Sequence, residues 1–203
     1  MLKELFEGHF YGTFPKVPEC VLNLTENTLT GTFSLCDPKA CSGCHFVCSS
    51  DLANREQMKT NSSHNVNVIS IDDVFSYVKE DVGEICDYLL ESDNTLAIVE
   101  MTCSTADYVP DKRQKARHQL YNTLTLLYLS PIVRQHIERQ ATRYVVFSWK
   151  ETFDPSVTTD SISNCMLGMT AMTDAVYSPD NESKFDFGFR MKEIRYPNIL
   201  NFN

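Results

Sequence analysis

The sequence predicts an α/β domain, and three neighbouring stretches carry that prediction. Ile85 to Leu90 and Thr95 to Thr102 are short apolar runs separated by Glu91-Ser92-Asp93-Asn94, the composition of a β-hairpin with a polar turn. Pro110 to Leu127 then repeats apolar residues at helical spacing, through Ala116, Leu120, Leu124 and Leu127. Arg143 to Trp149 is a buried-strand run, Arg-Tyr-Val-Val-Phe-Ser-Trp. The order is strand, strand, helix, strand within about a third of the 203 residues.

The rest of the chain is arranged around this stretch. Residues 2 to 8 predict a short helix through Leu2, Leu5 and Phe6. Residues 9 to 35 mix aromatics, prolines, Thr and Asn, which predicts irregular structure with short strands. Residues 49 to 67 are polar, so a short helix near 51 to 58 and then a surface loop are expected, with a brief strand at Val66 to Ile69. Ser70 is placed to cap a helix with Asp72 and Asp73 in its first turn, ending at Gly83. Pro110 and Asp111 start the long helix, and Pro131 interrupts it before a second helical piece over Ile132 to Arg139. Ser156 to Ser163 reads as a loop, Met166 to Met172 as an apolar core patch. Phe185 to Phe189 alternates like a strand, and the end from Arg195 onward looks like a surface tail. The expected organisation is an N-terminal segment, 1–65, packed on an α/β core, 66–203.

Composition bounds the function. The net charge is −9, which opposes a general binder of duplex DNA, since such proteins are usually basic. The most basic segment, Lys112 to His118, falls on the long helix. No apolar run approaches the ~20 residues that cross a bilayer, and the acidic N-terminus does not resemble a signal peptide. A soluble cytoplasmic protein without membrane contact is expected, in which cysteines are normally reduced.

Four of the eight cysteines crowd together: Cys36, Cys41, Cys44 and Cys48. The two-residue gap between Cys41 and Cys44 suits a tetrahedral zinc ion, completed by Cys36 and Cys48 or by His45. The spacing is not that of a zinc ribbon, in which two close pairs are held well apart. Free thiols around a turn are the alternative, and iron–sulfur ligation a further one. His45 and His118 read as hydrogen-bonding groups, Cys103 and Cys165 as buried thiols.

Asp87 and Glu100 lie one on each arm of the hairpin, and opposed residues of antiparallel strands sit within about 5 Å of each other. A hairpin can therefore bring two carboxylates to one edge of a sheet. A strand with Asp87, a strand with Glu100-Met101-Thr102, a helix with Gln119 inside Lys115-Ala-Arg-His-Gln-Leu-Tyr121 and a closing strand resemble the core of the PD-(D/E)xK nuclease superfamily, the restriction-endonuclease-like fold. The resemblance implies a central mixed β-sheet flanked by helices. It also implies a divalent-metal-dependent nuclease that hydrolyses phosphodiester bonds in DNA or RNA. Mg²⁺ or Mn²⁺ would be held by Asp87, Glu100 and the Met101 carbonyl. Glu80 and Glu84, just upstream, are candidates for further acidic ligands.

The sequence departs from that pattern at one point: Thr102 stands where the family has lysine, and a hydroxyl carries no positive charge. Lys115, or else Lys112, would then supply the cation from the helix, as in some viral cap-snatching endonucleases of this fold. Gln119 would orient water or a phosphate from the same stripe. Otherwise the site has degenerated, and the fold serves a protein partner in a binding or regulatory role. Around Cys86, Cys103 and Cys165 no short signature pairs a nucleophilic cysteine with a base.

Overall fold

The computed structural model describes residues 2–16, 24–36, 47–48, 56–105, 108–152 and 182–202, with the backbone alone for 47–48. Among the described residues four α-helices, α1 (Leu2–Gly8), α2 (Ile71–Ser76), α3 (Val109–Tyr128) and α4 (Pro131–Arg139), flank one mixed sheet. Its strands are β1 (Glu26–Cys36), β2 (Val47–Cys48), β3 (Gln57–Ser70), β4 (Tyr88–Glu91), β5 (Thr95–Ser104), β6 (Thr142–Glu151), β7 (Glu182–Lys184), β8 (Arg190–Arg195) and β9 (Ile199–Asn201).

Among the described residues the order is β2-β1-β3-β4-β5-β6-β8-β7, with β9 added to β3. Neighbours from β1 to β5 run antiparallel, whereas β5, β6 and β8 are parallel to one another. The switch follows from connection length. Ser92 to Asn94 can only turn the chain back, while α3 and α4 carry it over one face and return it in the same direction. An α/β fold with a mixed sheet and flanking helices is what the hairpin, helix and strand predict.

The two sheet faces have separate cores. Leu89, Leu96, Ile98, Val145 and Phe147 pack under Ala116, Leu120, Leu124 and Leu127 of α3, together with α1 and α2. Tyr88, Leu90, Ala97, Val99, Met101 and Val146 face the other side, against Leu35, Met58, Val66, Leu200 and Phe202. The predicted stripe on α3 is buried along its length. Ser70 caps α2 by accepting from the Asp73 N–H at 3.2 Å. At the far end of the hairpin Glu91 accepts from Gln140 Nε2 at 2.9 Å and meets His136, tying the turn to α4.

Several expectations are corrected. Residues 57 to 65 are neither helix nor loop: with the expected strand at Val66 to Ile69 they form one fourteen-residue strand. Its polar residues are tolerated because one face of the β1–β3 ribbon meets solvent, where Thr28 and Thr32 donate to Asn67 and Asn61 across the strands. The expected boundary at residue 65 therefore falls inside β3, and the described N-terminal strands join the same sheet. α2 ends at Ser76, well before Gly83, which instead takes φ +70 in the following turn. Phe185 to Phe189 is no strand. Phe187 (φ 57) and Gly188 (φ 74) turn left-handed, and this compact turn reverses β7 into β8. The C-terminal stretch is no surface tail, because β9 lies parallel to β3 and buries Leu200 and Phe202. The patches at 156–163 and 166–172 lie outside the described residues. No helix among the described residues is long and apolar enough to cross a membrane.

Candidate metal and phosphodiester site

Tyr88 pairs with Val99, so Asp87 and Glu100 are the next residues along their respective strands. Strand alternation puts Asp87 on the side of Leu89 and Glu100 on the side of Ile98, the face covered by α3. Asp87 precedes β4 by one residue, yet its N–H donates to the Val99 carbonyl at 3.0 Å, and its carbonyl accepts from Ile71. Its side chain is fixed as well: the Met101 N–H donates to Asp87 Oδ2 at 2.7 Å. This bond aims the carboxylate across the hairpin toward Glu100.

The two carboxylates line one pocket of about 130 Å³ with Glu56, Met101, Thr102, Lys112, Lys115, Ala116 and Gln119. Glu100 is 8% exposed, and its Oε2 is buried without a hydrogen-bond partner. Burial first, then the charges of Asp87 and Glu56, push its carboxyl up to about 10, against smaller opposing effects from Gln119 and Lys115. Two acids sharing a dry pocket cannot both ionise without a cation. An orphaned, repelled carboxylate oxygen beside a second fixed carboxylate suits a hard divalent ion, so the residues fit the implied metal. Among the described residues no group of three or more His, Cys, Asp or Glu is poised to hold one. The fit therefore rests on two carboxylates and a backbone carbonyl.

α3 supplies the other wall. Gln119 Nε2 donates to the Ile85 carbonyl at 2.9 Å, and the side chain lines the pocket with Glu100. Its amide thus anchors the helix to the hairpin. Asn122, on the same stripe, donates to the Val82 and Glu84 carbonyls. Lys115 reaches the pocket but pairs with Glu84 at 2.9 Å, both side chains being more than half exposed. That contact raises the Lys115 pKa, first by the hydrogen bond and then by the charge of Glu84. The basic run is split in purpose: Arg113 bonds Glu193 of β8, and Arg117 meets Met191, while Lys112 and Lys115 face the pocket.

Thr102, which stands where the resembled pattern has lysine, lines the pocket. Glu56 was not anticipated, because its surroundings read as a polar helix and loop; only its place at the mouth of β3 brings it here. Glu84 instead lines a neighbouring groove with Asp111, Gln114, Lys115 and His118. Cys86 is buried, with burial pushing its thiol well up, and Thr123 Oγ1 accepts from its N–H. Cys103 is a free, half-buried thiol.

Cys36 is disulfide-bonded, a state in which its sulfur is no thiolate for zinc and which departs from the expectation of reduced cysteines. Cys41, Cys44, His45 and Cys165 lie outside the described residues, as does the side chain of Cys48. Comparison with family models, curated proteins and solved structures finds no match.

Proposed function

We propose that this chain is a divalent-metal-dependent nuclease that hydrolyses phosphodiester bonds in DNA or RNA. The observation that carries the proposal is the pairing of Asp87 with Glu100 in one pocket, with Glu100 Oε2 buried and unpartnered. Asp87, Glu100 and the Met101 carbonyl would hold Mg²⁺ or Mn²⁺. When bound, such an ion makes water a better nucleophile at neutral pH and offsets charge on the phosphate.

The protein's own groups divide the remaining work. The Met101 N–H fixes Asp87, so that acid needs no reorganisation, and burial on the α3 face holds Glu100 in the pocket. Lys115 offers positive charge to the phosphate once it leaves Glu84. An exposed ion pair of that kind contributes at most about 1 kcal/mol, so the exchange costs little. Lys112 lies on the same wall and would help hold the substrate.

A second reading is favoured by Thr102 and by the engagement of Lys115 with Glu84: a nuclease-like fold that has lost catalysis and binds a protein partner. Incubating labelled single- and double-stranded DNA and RNA with Mn²⁺ separates the two. Cleavage that is abolished in Asp87→Ala and in Glu100→Ala supports the enzyme. Absence of cleavage, together with no Mn²⁺ binding at millimolar concentration, supports the partner.

A further inference from the structure

We propose that Glu84 is a positioning residue for the carboxylate pocket: it holds the Lys115 ammonium away from Asp87 and Glu100, which leaves that acid pair open to a divalent cation. The proposal rests on the metal site of the proposed nuclease. Glu84 sits in a stretch, 82–86, that belongs to no helix or strand, yet α3 fixes its backbone. Asn122 Nδ2 donates to the Val82 carbonyl at 2.8 Å and to the Glu84 carbonyl at 2.9 Å. Gln119 Nε2 donates to the Ile85 carbonyl, and Thr123 Oγ1 accepts from the Cys86 N–H. Gly83 makes the turn at φ +70, where glycine is favoured, and its N–H donates to Asp81 Oδ1 at 2.9 Å. The bonds to α3 set Glu84 opposite Lys115, which lies one turn before Gln119, and the two charged groups meet at 2.9 Å.

Lys115 lines two neighbouring spaces, the carboxylate pocket and the groove that holds Glu84, so it has a choice of anions. Glu84 acts on its ammonium first, by hydrogen bond and by charge, and Glu100 is the next acid to do so. The influence is mutual, because Lys115 is among the charges that act on the Glu100 carboxyl. Asp111, one turn earlier on α3, lines the same groove but forms no ion pair among the described residues.

Without Glu84, the acids left to attract Lys115 most strongly are those of the pocket. An ammonium drawn to Asp87 and Glu100 competes with a divalent cation, both for the same oxygens and by like-charge repulsion. Glu84 removes that competitor. The restraint is also easily undone, because both side chains are more than half exposed and an exposed pair is weak. Lys115 therefore waits at the rim of the pocket, available to an arriving phosphate, while the acid pair stays open.

The test is a double-mutant cycle on Mn²⁺ affinity, measured by calorimetry at pH 7.5 without nucleic acid. The proteins are the wild type, Glu84→Gln, Lys115→Met and the double variant. Both side chains are more than half exposed, so all four should fold, and melts in EDTA check that. Glu84→Gln should bind Mn²⁺ about threefold more weakly, the size an exposed pair can produce. Lys115→Met should bind about threefold more tightly. The double variant should match Lys115→Met, because without the lysine Glu84 has nothing to restrain. In parallel assays the cleavage deficit of Glu84→Gln should vanish at saturating Mn²⁺. Wild-type affinity in Glu84→Gln overturns the proposal. Equal weakening with and without Lys115 also overturns it, since that marks a direct effect of the Glu84 charge on the cation; in both cases the nuclease stands. If the wild type binds no Mn²⁺, the metal site falls, and the nuclease and this proposal fall with it.

Discussion

Glu100 is a carboxyl placed where one of its oxygens meets neither water nor a donor. Its ordinary value is 4.5, and in the fold it is pushed to about 10. The metal-free folded protein therefore binds a proton there that the unfolded chain releases across this window. Stability is highest below pH 4.5 with respect to this group, falls as pH rises, and its contribution is gone once pH passes 10. Glu100→Gln, neutral and nearly isosteric, should raise the stability of the metal-free protein at pH 7 by roughly 1–3 kcal/mol while abolishing cleavage. Thermal melts in EDTA between pH 5 and pH 9 check this: the wild-type Tm should decline with pH relative to the variant, and parallel curves would contradict it. Lys115→Met makes the complementary prediction. Its side chain is half-exposed, so Tm should move by less than the equivalent of about 1 kcal/mol, while kcat should fall at least tenfold if Lys115 meets the phosphate.

At the scale of elements, the hairpin and α3 were legible because their signals are local. Alternating apolar runs around Ser92-Asp93-Asn94 and the Ala116–Leu127 stripe name their own partners. Asp87, Glu100, Lys115 and Gln119 consequently line one pocket. β3 and β9 were not legible, because nothing local in Asn61-Ser62-Ser63-His64 or Tyr196-Pro197-Asn198 specifies a strand. β3 exists because β1 pairs with it along its length, and β9 because β3 offers it an edge. Glu56 was missed for the same reason. α3 should be the most costly element to disturb: Leu120, fully buried between the helix and the sheet, should cost about 2–5 kcal/mol as Leu120→Ala, read as a shift of the urea midpoint without a change in slope.

At the scale of the whole molecule, the sheet changes from antiparallel to parallel at β5, the strand that carries Glu100. Side chains from the hairpin, from β3 and from α3 converge at this junction, so the site depends on the fold rather than on one segment. The C-terminus takes part through the opposite core. Leu200 and Phe202 are fully buried against β3. Truncation after Asn198 should therefore destabilise the protein by several kcal/mol, on the order of two buried side chains lost. Retention of the wild-type Tm after truncation would show that β9 is dispensable.

Calorimetric titration of Mn²⁺ at pH 7.5, in two buffers of different ionisation enthalpy, tests the shared cation most directly. Binding of one ion with release of about one proton, absent in Glu100→Gln and Asp87→Asn, is the predicted result. No binding up to about 10 mM, or equal binding by the wild type and both variants, would contradict it.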